Sequence, residues 1–329
     1  MTWYVPFCVM DKPYAVWGSD LATTNRQFLD SMDAEFYQRT AVSIIESFGG
    51  EEALDDPDKI NERKDTSTLT RLLWHHAAET LAMTIGACVQ APDAVHAYFL
   101  RCRTEDVIQL AQLISKDSLP KLNRFEKNDA SVNDLMQWVF SLCREEVHAE
   151  RFVQSICQIY SMFTEKSHRA EYNSIKHGLR VSHGALQLRI GLEHEYGVSP
   201  PADEFKTLGA SPESSSFLVA KKFEWARGQE NSINFHMEKV TVAFSSDKII
   251  RELQVMKMIM HNIIVRLKIY NGFKGEDVKF FVPEDPAEFW ESYDQALVPT
   301  LNNYRFSENF DEREIQLLTA DEVKKNYSR

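Results

Sequence analysis

Several things are scarce in this 329-residue chain, and each absence closes a class of function. Cysteine occurs five times (Cys8, Cys88, Cys102, Cys143 and Cys157), an odd number with no Cys-x-x-Cys pair. That excludes a disulfide framework and a cysteine-built zinc module, and it reads as reduced core thiols of a cytoplasmic protein. Glycine is limited to 12 residues, and no Gly-x-Gly-x-x-Gly, Walker loop or Gly-x-Ser-x-Gly occurs. The common nucleotide-binding and hydrolase chemistries therefore have no motif here, nor does His-Glu-x-x-His zinc chemistry, and no cofactor or metal is expected. No apolar run approaches the roughly 18 residues of a membrane span, so no membrane partner is expected. The start, Met-Thr-Trp-Tyr-Val-Pro, lacks the basic and apolar regions of a secretory signal. Basic charge is also in deficit, with 37 Lys and Arg against 49 Asp and Glu. The net charge of −12 argues against a surface that coats nucleic acid as a whole.

What is present is an ordinary globular composition, 43% hydrophobic and 26% charged, with length enough for one large or two ordinary domains. Helical periodicity dominates. Residues 23–48 read as a first helix, capped by Thr23, Thr24 or Asn25 and ended by Gly49-Gly50. A second is expected over about 66–90 and a third over about 92–115. Leu135, Val139, Leu142, Glu146, Ala149, Val153, Ile156, Tyr160 and Phe163 keep 4-3 spacing, a heptad seam of about 29 residues or about 43 Å of helix. A fifth helix is expected from near Ser167 to about Tyr196. Residues 197–216, rich in Pro, Ser and Gly, read as a loop. Phe217–Trp225 and Ile233–Phe244 alternate like paired strands around a turn at Ala226–Asn231. A second heptad series (Ile249, Leu253, Met256, Met260, Ile263, Leu267, Tyr270) gives a sixth helix. The tail from 276 is acidic, with 13 Asp and Glu against 6 Lys and Arg, and carries short helices near 286–296 and 311–325.

The polar features concentrate in Arg169–His183. Read at about 100° per residue, Arg169, Asn173, Lys176, Arg180, His183 and Gln187 fall within roughly 40° of one line, with His177 at its edge. Residues 166–189 hold five basic side chains against the single acid Glu171, which suits an anion site and equally a solvated helix face. Glu146 occupies a core position of the first seam and is expected to be paired or protonated, with His76 or the basic helix as partner. His76 falls among Leu69, Leu72, Leu73, Thr80 and Met83 on the apolar side of its helix, and His75 with Glu79 on the outer side. Glu145-x-x-His148 and Glu165-x-x-His168 both match the Glu-x-x-His pattern of di-iron bundles. Along one seamed helix they lie too far apart for one site, with His148 about 24 Å from a break at 164.

Tyr172-Asn173-Ser-Ile-Lys176-His177-Gly178 resembles the polar helix of HEPN-type proteins, whose usual motif is Arg, commonly Asn, then His after four to six intervening residues. The resemblance implies an all-helical, commonly dimeric protein, RNA-directed and in many members a metal-independent ribonuclease. It assigns His177 as acid/base and Asn173 as positioning residue, while the motif Arg is Tyr172 here. Arg169, Lys176, Arg180 and His183 are then the phosphate or anion contacts. In RNA cleavage by the 2′-hydroxyl, His moves the proton and a cation holds the growing phosphorane charge.

The expected fold is therefore mainly α: a bundle of five or six long helices with an inserted β-hairpin (about 217–244) and an acidic C-terminal tail. The expected divisions are a helical bundle over 1–200, a loop and hairpin over 201–245, and a completing helix plus tail over 246–329. Three functions fit: an RNA-directed protein that cuts or binds, a non-catalytic interaction protein whose basic helix docks an acidic partner, and binding of a small anionic ligand in the bundle.

Overall fold

The structure, a computed structural model, describes residues 4–48, 57–143, 147–177, 180–223, 234–275, 278–296, 304–307 and 318–327. It is mostly helical with small sheets and divides into two units, residues 1–169 with 246–298, and residues 170–245 with 299–329. The chain passes from one unit to the other after Arg169, after Ser245 and after Val298.

The helical unit opens on a hairpin, β1 (Tyr4–Val9) and β2 (Lys12–Trp17), that the sequence patterning does not announce. Its turn holds Met10 at φ 59°, a left-handed conformation uncommon for a bulky side chain. Gln90 fixes it, accepting from the Met10 amide at 2.9 Å and donating to the Met10 carbonyl at 2.7 Å. Helices α1 (Leu21–Ser31) and α2 (Phe36–Phe48) replace the single helix expected over 23–48. Asp33 makes the break: its carboxylate accepts from the Glu35 amide at 2.9 Å and from Arg39 at 2.6 Å, satisfying donors at the start of α2. The long α3 (Pro57–Gln90) begins nine residues before the expected start, with proline at its first position, where a missing amide donor costs nothing. Helices α4 (Val95–Arg101) and α5 (Thr104–Ile114) divide the third expected helix. There Asp106 accepts from the Arg103 amide and caps α5.

The 29-residue seam is likewise two helices, α6 (Val132–Phe140) and α7 (Ala149–Thr164). Leu135, Val139, Ile156, Tyr160 and Phe163 are buried as the spacing predicts, but Leu142 is 49% exposed beyond the end of α6. Heptad spacing identifies a buried face; it does not require the backbone beneath that face to be one continuous helix. Glu146 lies outside the described residues.

Helix α8 (Lys166–Lys176) leads into the second unit and stops there, some twenty residues short of the expected end. The chain continues as β3 (Val181–Ile190) and β4 (Lys206–Lys221), then β5 (His236–Phe244). An i, i+4 pair such as Leu186 and Ile190 fits a strand as well as a helix, because four is also a multiple of two; Leu188 between them favours the strand. The expected β4–β5 pairing is present, with Phe217 opposite Val240, while the turn at 226–231 lies outside the described residues. The expected loop over 197–216 is half strand. Its serines are accommodated by hydrogen bonds: buried Ser211 donates to the Phe244 carbonyl at 3.0 Å and Ser214 to the Gly184 carbonyl at 2.8 Å.

The helical unit is completed by α9 (Ser246–Tyr270) and α10 (Pro286–Ala296). The second unit closes with β6 (Tyr304–Ser307), giving the antiparallel order β3-β4-β5-β6, and α11 (Ala320–Tyr327). Expected helix residues 311–317 lie outside the described residues. Phe217, Val240 and Val242 form a small core of the sheet unit, with Ala170, Val181 and Val219 against it.

The centre of the helical unit is α3 against α9. From Trp74 onward α3 is largely buried, and Ile249, Leu253, Met256, Met260, Ile263 and Leu267 of α9 are buried as their heptad predicts. Each such side chain contributes about 1.5–3 kcal/mol relative to exposure. Close approach depends on Gly86, where a Cβ would overlap the Tyr98 hydroxyl and lie 2.8 Å from Leu110 Cδ2. Gly86→Ala should therefore destabilise. The gain of about 1 kcal/mol in helix propensity is outweighed by overpacking of about 1–3 kcal/mol. Thermal melting checks this, and a variant melting at or above wild type would refute the close α3–α4–α5 contact.

Candidate functional site

The expected polar motif survives only over the last turns of α8. Tyr172 and Ile175 are buried, while Asn173, Lys176 and His177 are exposed. Asn173 and His177 remain one turn apart, the His177 amide donating to the Asn173 carbonyl at 3.0 Å. Tyr172 holds Lys176 over its ring, with Nζ 5.3 Å from the centroid. The Arg180 amide donates to the Ser174 carbonyl at 2.9 Å, and β3 begins at the next residue.

The end of α8 at Lys176 breaks up the six-residue stripe. Arg180 precedes β3, and His183 and Gln187 are strand residues, so none shares a helix face with Asn173. His183 sits beside Ser215, their Nδ1 and Oγ atoms 3.2 Å apart. Arg169 is on α8 but ends the helical unit, on the other side of the boundary from Asn173 and His177.

The sheet brings other residues together. Arg180, Ser182, Ser216, Leu218 and Lys239 line a groove of about 280 Å³ on the sheet unit. Arg180 and Lys239 are exposed, and among the described residues neither has a carboxylate partner. Leu218 lies between them, 59% exposed and paired with Lys239 across β4–β5. The next row of the sheet carries hydroxyls: Ser182 donates to the Ser216 carbonyl at 3.4 Å, and Ser216 Oγ lies 2.8 Å from Oγ1 of the buried Thr241. The two cations can hold anionic oxygens because both donate, whereas the hydroxyls beside them are engaged within the sheet. The row is not legible in the sequence, since it depends on strand register across three segments.

The helical unit holds a second polar group, wholly interior. His75, not His76, is the buried histidine: His75 is fully buried, whereas the His76 side chain is 42% exposed and 3.9 Å from Glu79. The leucines that suggest the opposite phase are not all buried, Leu69 being 43% exposed. The indole of Trp74 donates to Glu252 Oε2 at 2.7 Å, and Lys248 Nζ lies 3.8 Å from Oε1. Arg71 Nη2 lies 3.0 Å from His168 Nδ1 and its guanidinium carbon 5.0 Å from the Trp74 ring centroid. This network ties α3, α7, α9 and the first turns of α8, with Lys248 also reaching Met162 Sδ at 3.3 Å. A signal for Glu252 is present in the sequence. It shares a helix line with Met256, Ile259 and Ile263, a carboxylate in an apolar seam of the kind noted at Glu146. Among the described residues no group of His, Cys, Asp and Glu is placed to hold a metal ion.

Set against models of protein families, curated proteins and solved structures, the chain matches none of them.

Burial raises the Glu252 pKa above the ordinary 4.5, opposed in part by Lys248, the Trp74 hydrogen bond and Arg71. Above pH 4.5 the folded state then holds this proton more tightly than the unfolded state does. Its contribution to stability falls as pH rises, until the folded pKa has been passed. Glu252→Gln, which keeps an acceptor for Trp74, should flatten that segment of the stability–pH curve measured by urea unfolding. An unchanged slope in the variant would show that Glu252 is not the titrating group.

Proposed function

We propose that the sheet unit is an RNA-directed binding module that does not cut. The observation that carries this reading is the pair Arg180 and Lys239, exposed and without carboxylate partners among the described residues, lining one groove of the sheet with Ser182 and Ser216. Cations with no carboxylate partner, together with hydroxyls, are the groups that contact phosphate oxygens and position a nucleic-acid backbone. Exposed Asn173, Lys176 and His177 suit the same ligand. Tyr172 argues against cleavage: the cation that would stabilise the phosphorane is replaced by a buried phenol, and Lys176 is drawn over its ring. The five free cysteines favour a reducing, cytoplasmic setting.

A second reading, an acidic protein segment laid across the groove, is favoured by Leu218, an exposed apolar side chain between the two cations. Peptides of that kind bind by an apolar anchor flanked by ion pairs.

Binding to single-stranded RNA should weaken as salt rises. Arg180→Gln with Lys239→Gln should lower the salt slope by about 1.4, roughly 0.7 for each phosphate of a single strand that a cation no longer neutralises. RNA incubated with wild type in EDTA should stay intact. Metal-independent cleavage abolished by His177→Ala would replace this proposal with a ribonuclease. Failure to bind RNA, together with salt-sensitive binding of an acidic leucine-containing peptide, would favour the second reading.

A further inference from the structure

A guanidinium drawn out of water is normally given a carboxylate, because an unpaired buried charge is strongly disfavoured. Two half-buried arginines of the helical unit depart from this together. Arg124, between α5 and α6, places its guanidinium carbon 4.0 Å from the Trp138 ring centroid and 4.6 Å from that of Tyr270. Arg266, on α9, lies 4.4 Å from the same Trp138 ring, and its Nε donates to the Trp138 carbonyl at 3.2 Å. Among the described residues neither forms an ion pair with a carboxylate, and Arg124 Nη1 is buried with no acceptor. Asp93 accepts from the Tyr270 hydroxyl at 3.3 Å and is not an ion-pair partner of Arg124.

The two charges act on each other and on their surroundings. Desolvation first, and then the Arg124 charge, pulls the Arg266 pKa below its ordinary value. Both guanidiniums are felt at the buried Cys88 thiol. The Trp138 ring attracts both cations and the Tyr270 ring attracts Arg124, but neither ring does anything for the repulsion between the two charges. A shared anion would relieve it. A phosphoryl group, with two charges and three terminal oxygens, can accept a bidentate pair from one guanidinium and still offer an oxygen to the other. A single carboxylate carries one charge and fills one fork.

We propose that Arg124 and Arg266, framed by Trp138 and Tyr270, form a binding site for a phosphoryl group, supplied by inorganic phosphate or by a small phosphate monoester. The site belongs to the helical unit and is independent of the RNA-directed surface proposed above. Tyr270, 44% exposed, keeps it open to solvent.

The test uses the full chain in chloride buffer at constant ionic strength, followed by thermal melting. Inorganic phosphate and glycerol 3-phosphate are titrated separately, with succinate as a dicarboxylate control. A saturable rise in Tm is expected, roughly 5 °C at a concentration about a hundredfold above Kd. Arg266→Gln should weaken the response at least about tenfold, the usual effect of removing one charged bidentate pair. Arg266→Lys, which keeps the charge and loses the fork, should weaken it too. These two variants carry the test if Arg124→Gln does not fold. A stronger response to the monoester identifies an organic phosphate as ligand, and an equal response identifies phosphate itself. The proposal is overturned by no saturable response at millimolar phosphate or monoester, by an equal response to succinate, or by a response that survives in Arg266→Gln.

Discussion

The hydrogen bond from the Trp74 indole to Glu252 joins the two longest helices across the interior of the helical unit, and the surrounding packing is arranged about it. The Trp74 ring is the hub. Arg71 lies over it, and the rings of His75, Phe163 and His168 have centroids 4.9, 6.4 and 6.1 Å away. A tryptophan 1% exposed brings a large apolar surface together with one donor that must be satisfied, and α9 supplies the acceptor from its buried line. A lone carboxylate in that position would be strongly disfavoured; Lys248 and Arg71 offset part of that cost. Buried ionic networks of this kind are often no better than well-packed apolar residues in net free energy. We take the contribution of this one to be register: one indole and one carboxylate meet at a single axial alignment of α3 and α9, whereas the leucine and isoleucine seam alone tolerates slippage.

The same contrast explains which elements are legible in the sequence. The α9 heptad reads directly as a helix because its apolar residues are regularly spaced and its backbone is unbroken from Ser246 to Tyr270. The seam across α6 and α7 is equally regular and marks most of its buried residues, yet the chain leaves the helix between them. Asp33 and Asp106 show how such breaks arise: a short acidic side chain takes over backbone donors that a continuing helix would have used. Hydrophobic periodicity records which faces are buried, whereas these breaks are made by polar groups that contribute nothing to the periodicity.

For the candidate site the limit is a different one. Asn173 and His177 stay neighbours because they lie within one turn of helix, a relation that local sequence fixes. Arg180 and His183 leave the motif because residues 181–190 pair with β4, and that preference comes from a partner strand starting sixteen residues beyond the end of β3. The serines of 211–216 mislead for a related reason. In isolation they suit a loop; within a sheet, each buried hydroxyl finds a carbonyl, a histidine nitrogen or another hydroxyl. On α3, Leu69 and its neighbours point to an apolar side that would bury His76. The true interior line begins at Trp74 and continues through small residues, Ala77, Ala78 and Ala82, and it buries His75 instead.

Charge distribution ties these observations to function. In a chain with 49 carboxylates against 37 Lys and Arg, an acidic neighbour is readily available to any cation. Arg180, Lys239, Arg124 and Arg266 nonetheless have none among the described residues. Absence of pairing in an acidic protein is thus more informative than the same absence in a basic one. The net charge of −12 also acts on ligands by size. A small phosphoryl group seated between two guanidiniums interacts mainly with those two charges, because more distant carboxylates are screened beyond about 8–10 Å at ordinary ionic strength. A long polyanion crosses the field of many carboxylates and is repelled by them as it is held by the few cations it reaches. Affinity for an extended anion should accordingly depend on a short contact segment, and lengthening the ligand beyond that segment should add little.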